Sequence, residues 1–310
     1  MAFPVAQGSQ SHSGTLIPTI WAKKFLKHFY MSTVLAAISN TDYEGEIKEH
    51  GDKVEVNVLV GGESHEYVKG QKLNYTELSS ATRTLMIDRG RSFQFPASYI
   101  DKAQAMKSLN FVEQWSSHLS QITKRDIEHI VLSEVFTSAA AENSGATAGA
   151  DTGDYNLGVA GAPKALTATT IIDDIVNWGD VLDQKNIPDD GRWIVLPTWA
   201  CAMIKKSELR DASITGDDKS LLRTNGRIGM IDRFEIFSSR NLLSVADGGG
   251  ATAWNAMAGH KSAITFATQL TANERLKNPD DYGDLIRSLQ SFGFAVMQPD
   301  ALAHLYIRKG

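Results

Sequence analysis

The chain has 310 residues, 42% of them hydrophobic and 22% charged, enough for one large core or two modest ones and unlike a disordered chain. Its formal net charge of -5 argues against a protein that grips nucleic acid by counterion release, which needs a basic surface, although a local basic patch stays open. The single cysteine, Cys201, excludes an intramolecular disulfide; in "TWACAMI" it reads as buried filler, because a reactive thiol needs a charged, accessible setting.

Residues 1–18 contain no Lys, Arg, Asp or Glu and read as an arm without the basic region of a signal peptide. The apolar runs, such as Thr33–Ile38, fall far short of the ~20 residues of a membrane span, so the expectation is a soluble protein made in a cytoplasm. From Ile20 to Ala37 the spacing of Trp21, Phe25 and Phe29, with Lys23, Lys24 and Lys27 between them, predicts an amphipathic helix. Its aromatic stripe is expected to dock on protein and anchor the arm.

Two glycines, Gly45 and Gly51, then precede a strict alternation. Val54, Val56 and Val58 share one parity and Glu55, Asn57 and Leu59 the other, which predicts a strand. A polar stretch from Val60 to Ser80 follows, and the alternation resumes with Arg83, Leu85, Ile87, Arg89 and Arg91 on one parity. Together these predict a β-hairpin with a long wet tip. A two-stranded ribbon is marginal in water, so it needs support from outside itself.

Ser98 to Glu142 holds no Pro and no Gly, and its apolar stripe runs Phe111, Trp115, Leu119, Ile122, then Ile127, Ile130, Val131 and Val135. One helix of about 40 residues would be a strut of roughly 60 Å. Trp115 and Leu119 are expected to pack on the C-terminal strands near Phe292 or Phe294. Glu142–Pro163 reads as a small-residue linker. Beyond it the pattern is α/β. Thr170 and Asp173 are placed to cap a helix with apolar face Ile172, Ile175, Val176 and Leu182. "RWIVLP" reads as a buried strand, "PTWACAMIKKSELR" as a helix and "GRIGMIDRFEIFSS" as a short hairpin. The last sixty residues read as four strands.

Catalytic patterns are missing. There is no HExxH, and His118 and His129 are eleven residues apart, too far for a one-turn zinc pair. "GDDKS" lacks the glycines of a phosphate loop, "GRIG" and "DGGG" lack dinucleotide-binding spacing, and no GxSxG elbow occurs. The acidic pairs Asp173/Asp174, Asp189/Asp190, Asp217/Asp218 and Asp280/Asp281 read as helix starts or turns. The expectation is a protein that is not an enzyme, with no catalytic, cofactor-binding or metal residues.

The order of parts, with "IPTIWAKKFLKHF", "NTDYEGEIKEHGDKVEV", "GRIGMIDRFEIFSSRNL", "AGHKSAITFATQL" and "FGFAVMQPDALA", resembles the major capsid protein of tailed bacteriophages over nearly the whole chain. These motifs are diffuse; their number and order carry the resemblance. It implies an α+β, Hong Kong 97-like fold. Residues 1–44 would be the arm and anchor helix, 45–95 the extended loop, and 96–142 the peripheral domain with its spine helix. Residues 143–255 would form an α/β axial domain and 256–310 the closing strands.

The resemblance further implies a structural protein that self-assembles, as hexamers and pentamers of itself, into an icosahedral shell around double-stranded DNA. That shell would be part of the virion, assembled in the host bacterial cytoplasm. A portal protein, a separate scaffolding protein and a decoration protein would be its partners, DNA would be met only by weak non-specific contact, and no membrane is involved. Intersubunit contacts would fall on Trp21, Phe25, Val54, Val56, Val58, Tyr67, Lys69, Lys72, Arg83, Arg89 and Arg91. Nothing marks Lys69 or Lys72 as reactive toward covalent cross-linking. An encapsulin-like shell around enzyme cargo has the same fold; the long uncharged arm fits the phage type better.

Overall fold

A computed structural model describes residues 33–41, 53–60, 64–72, 79–99, 111–207, 228–247, 250–279 and 281–310. Of the expected anchor helix only one turn lies within them, α1 (Leu35–Ile38), with Leu35 and Ile38 buried. The hairpin forms as the alternation predicts. Strands β1 (Lys53–Val60) and β2 (Ser79–Met86) pair antiparallel, with Lys53 opposite Met86 and Val60 opposite Ser79. Val54, Val56 and Val58 are half-buried while Lys53, Glu55 and Asn57 are exposed.

The return arm is shorter than its alternation suggests. The ladder with β1 stops at Met86, and after Ile87–Asp88 the chain enters β3 (Arg89–Ser98), which pairs with another strand. Arg83 therefore belongs to the ribbon, and Arg89 and Arg91 to a sheet. Parity runs unbroken through the change of partner, because period 2 reports which face a residue is on and not which strand lies beside it.

That sheet has the order β10–β11–β3, built from β10 (Ile264–Lys277) and β11 (Gly283–Val296), all antiparallel, with a bulge between Thr268 and Leu270. Beside it runs α2 (Phe111–Glu134), about 36 Å long, continued by a 3-10 turn at Val135–Ser138. Only the last turns of the expected stripe are core: Ile127, Val131, Leu132 and Val135 are buried, whereas no residue from 113 to 126 is. Trp115, expected in the core, is 40% exposed and meets the edge of His118 at 5.9 Å. Among the described residues, the first turns of the helix have too little packed on them to bury the stripe.

The second sheet is mixed, in the order β4–β12–β9–β5–β7–β6 with β8 beside β9. Its strands are β4 (Lys164–Leu166), β5 (Arg192–Pro197), β6 (Ile228–Ile231), β7 (Phe234–Ser239), β8 (Ser244–Ala246), β9 (Thr252–His260) and β12 (Leu302–Lys309). β5 is buried at every position, as a continuous apolar run in a sheet covered on both faces requires. Helices α3 (Ile171–Asp183) and α4 (Thr198–Ile204) accompany it.

The face of α3 differs from expectation. Ile171, Ile175, Trp178, Val181 and Leu182 are buried, while Val176 is exposed. Thr170 takes helical angles and makes no capping bond; its hydroxyl meets Thr167 instead. Nor is 142–163 an open linker. Asn143, Ala148 and Leu157 are buried in it, and the Asn143 amide donates to the carbonyls of Asp300 and Leu302.

Candidate assembly surfaces

The hairpin is held to the body at its base. Val54 and Val56 pack, with Ile87 and Ala295, on a small core of Leu85, Ala267 and Met297. Register places Leu85 opposite Val54 and Arg83 opposite Val56, so the exposed arginine shares the valine face. The valine row, expected to wait for a neighbour, is thus partly covered by its own chain. At the exit from the hairpin a Cβ on Gly293 would sit 2.0 Å from the Met86 carbonyl oxygen, so only glycine admits this approach.

Arg89 completes the anchor. Its guanidinium forks onto both oxygens of Glu134 at 2.6 and 2.7 Å and lies 4.8 Å over the Phe294 ring. The hydrogen bonds that Arg89 donates hold the Glu134 carboxyl below its ordinary value, and the same bonds raise Arg89. Arg89, expected at an intersubunit contact, therefore finds a carboxylate in its own chain. Arg91 is exposed opposite Gln290. Glu134 and Gly293 carried no sequence signal of this role, since neither is near the hairpin in the chain.

The tip presents its residues outward. Positions 64–72 are all exposed, Tyr67 by 72% and Val68 by 52%, with Lys69 and Lys72 beside them. The turn is ordered: the Gln71 amide donates to the Val68 carbonyl at 3.1 Å and Gly70 has φ +91°, a conformation open to glycine. Trp21 and Phe25 lie outside the described residues.

A third junction joins the N-terminal segment to the body. Glu128, buried in α2, accepts hydrogen bonds from the Val34 amide at 3.0 Å and the Ser239 hydroxyl at 2.9 Å. Next to it, His129 donates through Nδ1 to the Asn241 carbonyl at 2.8 Å. Asn40 then bridges to β10, donating to Ile264 and accepting from Phe266.

No constellation for catalysis is assembled among the described residues. They contain no group of three or more His, Cys, Asp or Glu able to hold a metal. Burial pushes the Cys201 thiol up to about 11, leaving it protonated and inert at neutral pH. A cleft of about 350 Å³ is lined by Phe136, Ser144, Asn255, His304 and Tyr306 among others. Burial lowers His304 to about 4, its Nε2 meets Asn255 Oδ1 at 2.9 Å, and Ser144 donates to main-chain carbonyls rather than to the imidazole. No nucleophile–base pair results.

Comparison with curated proteins found no match. Among solved structures, a chain of Mycobacterium phage Che8 superposes with a TM-score of 0.72 at 24% identity, covering 94% of this chain and 97% of that one. The capsid of cyanophage P-SCSP1u gives 0.69 at 13% identity over 95% and 94%. The capsid of a native GTA particle gives 0.66 at 13% over 95% and 96%. At these identities the likeness establishes the fold, the α+β architecture of phage capsid subunits. The family model for phage capsid proteins matches residues 89–305, most of the chain, and with it the chain belongs to the phage capsid protein family.

Proposed function

We propose that the chain self-assembles into an icosahedral shell enclosing double-stranded phage DNA, with hexamers and pentamers as its units and the virion as its destination. The observation that carries this is the hairpin, a ribbon clamped at its base with residues 64–72 of its tip all exposed. An isolated ribbon gains little by holding Tyr67 and Val68 in water, whereas a neighbouring copy gains a preorganised anchor. Val58, Arg83, Tyr67, Lys69 and Lys72 are the residues of this chain assigned to that contact, together with Arg91 and, from the arm, Trp21 and Phe25. A shell multiplies many such heterologous contacts, so each one can be weak. The net charge of -5 suits a lining that does not grip DNA. A portal, a scaffolding protein and a decoration protein are its proposed partners.

Replacing residues 63–75 by a short glycine-containing turn tests the reading. Secondary structure and solubility should survive, and sedimentation with negative-stain microscopy should find no shells or fragile, aberrant ones. Normal shells would remove the hairpin tip from the intersubunit contact.

A further inference from the structure

Glu128 joins three stretches far apart in sequence, 94 residues from Val34 and 111 from Ser239. It is 1% exposed, and the donors it meets, a main-chain amide, a hydroxyl and the Asn241 side chain, are neutral. Val34 lies in the first described segment, 33–41, and Val34, Leu35 and Ile38 are buried where that segment meets the body. Among the described residues, the elements packed on Glu128 bring it no compensating charge. Residues 33–41 contain no charged side chain, Arg240 beyond Ser239 is exposed, and His129 is turned to Asn241. Lys124 and Arg125, one turn earlier on α2, are exposed as well. A carboxylate shut away from water against neutral donors alone loses more solvation than they return.

We propose that Glu128 is a proton-gated clasp at the root of the N-terminal segment, holding residues 34–40 more firmly when its carboxyl is protonated than when it is ionised. Burial raises the carboxyl above its ordinary value of 4.5, with the bonds from Ser239, Val34 and Asn241 opposing in part. In an opened joint water reaches the group and the ordinary value returns. The closed joint takes up the proton more readily, so its stability is full below the ordinary value and is lost as pH rises through the raised one. A segment proposed to embrace neighbouring copies would thereby be secured by acid and loosened toward neutral pH. That consequence rests on the shell reading; the clasp does not, and is measurable whether or not shells form.

Amide hydrogen exchange of the full-length chain between pH 4 and 8, corrected for intrinsic rates, reads the clasp directly. The opening constant of residues 34–40 should rise with pH, by about tenfold for each unit by which the carboxyl is displaced. Glu128→Gln should abolish that dependence and keep protection at the acid-state level, since the amide can accept from Val34 and donate to Ser239. A flat wild-type profile, or a Gln variant that follows the wild type, overturns the proposal. Should the Gln variant not fold, Ser239→Ala serves instead. It removes a donor to the ionised form and must steepen the wild-type dependence; an unchanged or shallower slope equally overturns it.

Discussion

Gly293→Ala tests how the hairpin is anchored. The added Cβ would lie 2.0 Å from the Met86 oxygen, 2.8 Å from its carbonyl carbon and 2.9 Å from the Ile87 Cα. All three are backbone atoms, so no rotamer relieves the clash. Reaching the 3.4 Å at which ordinary contact begins requires a shift of 1.4 Å (3.4 less 2.0) between β11 and the hairpin exit. Overpacking of this kind costs about 1–3 kcal/mol, and partial withdrawal of buried Leu85 from its small core adds on the order of 1 kcal/mol. The expected loss is ~3 kcal/mol by chemical denaturation, with faster proteolysis of the hairpin.

Gly90, in the neighbouring strand, is the control. Its nearest atoms to an added Cβ are 3.8 Å away and its φ is ordinary for a strand, so Gly90→Ala should be neutral or stabilising by up to ~1 kcal/mol through the unfolded chain. If the two variants are equally stable and equally resistant to cleavage, the anchor does not work as described.

Trp115→Ala should cost below ~1 kcal/mol in the unassembled subunit, because the ring is 40% exposed; a loss above ~3 kcal/mol in thermal denaturation would contradict that placement. Arg192→Ala should cost ~3–5 kcal/mol by denaturant titration. Its buried guanidinium pairs with Asp183 and Asp189 and serves the carbonyls of Gly179, Ile187 and Pro188, three acceptors that alanine leaves empty. His304, lowered to about 4 by burial, binds its proton less readily folded than unfolded. It therefore contributes stability above its ordinary 6.5 that is lost as pH falls toward 4, at most about 3 kcal/mol. His304→Gln should flatten that acid limb, and an unaltered pH profile of the thermal midpoint would show that other groups govern it.

Elements whose signal is local were readable from residues alone. β1 follows from Val54, Val56 and Val58 alternating with Lys53, Glu55 and Asn57, and β5 from the continuous run Arg192–Pro197. The β6–β7 hairpin follows from two short apolar runs around Asp232–Arg233. Helical periodicity likewise predicted α2, but not how much of it is covered. Trp115 and Val131 occupy the same stripe and only Val131 is buried, because burial depends on what stands opposite. The capping role expected of Thr170 failed for a similar reason: its side chain had a competing partner in Thr167.

The sequence by itself determined the face each strand residue takes and holds no catalytic spacing. Such features depend on periods of 2 and 3.6 residues and on local backbone preference, which act between near neighbours. Only the tertiary structure decided that β3 leaves β2 to pair with β11, that Arg89 finds Glu134, that Gly293 admits the Met86 carbonyl, and that Glu128 is sealed between Val34 and Ser239. Each of these joins residues tens to hundreds of positions apart. Contact at such distances is set by the packing of whole elements, and neither a strand's alternation nor a helix's stripe names the partner it will meet.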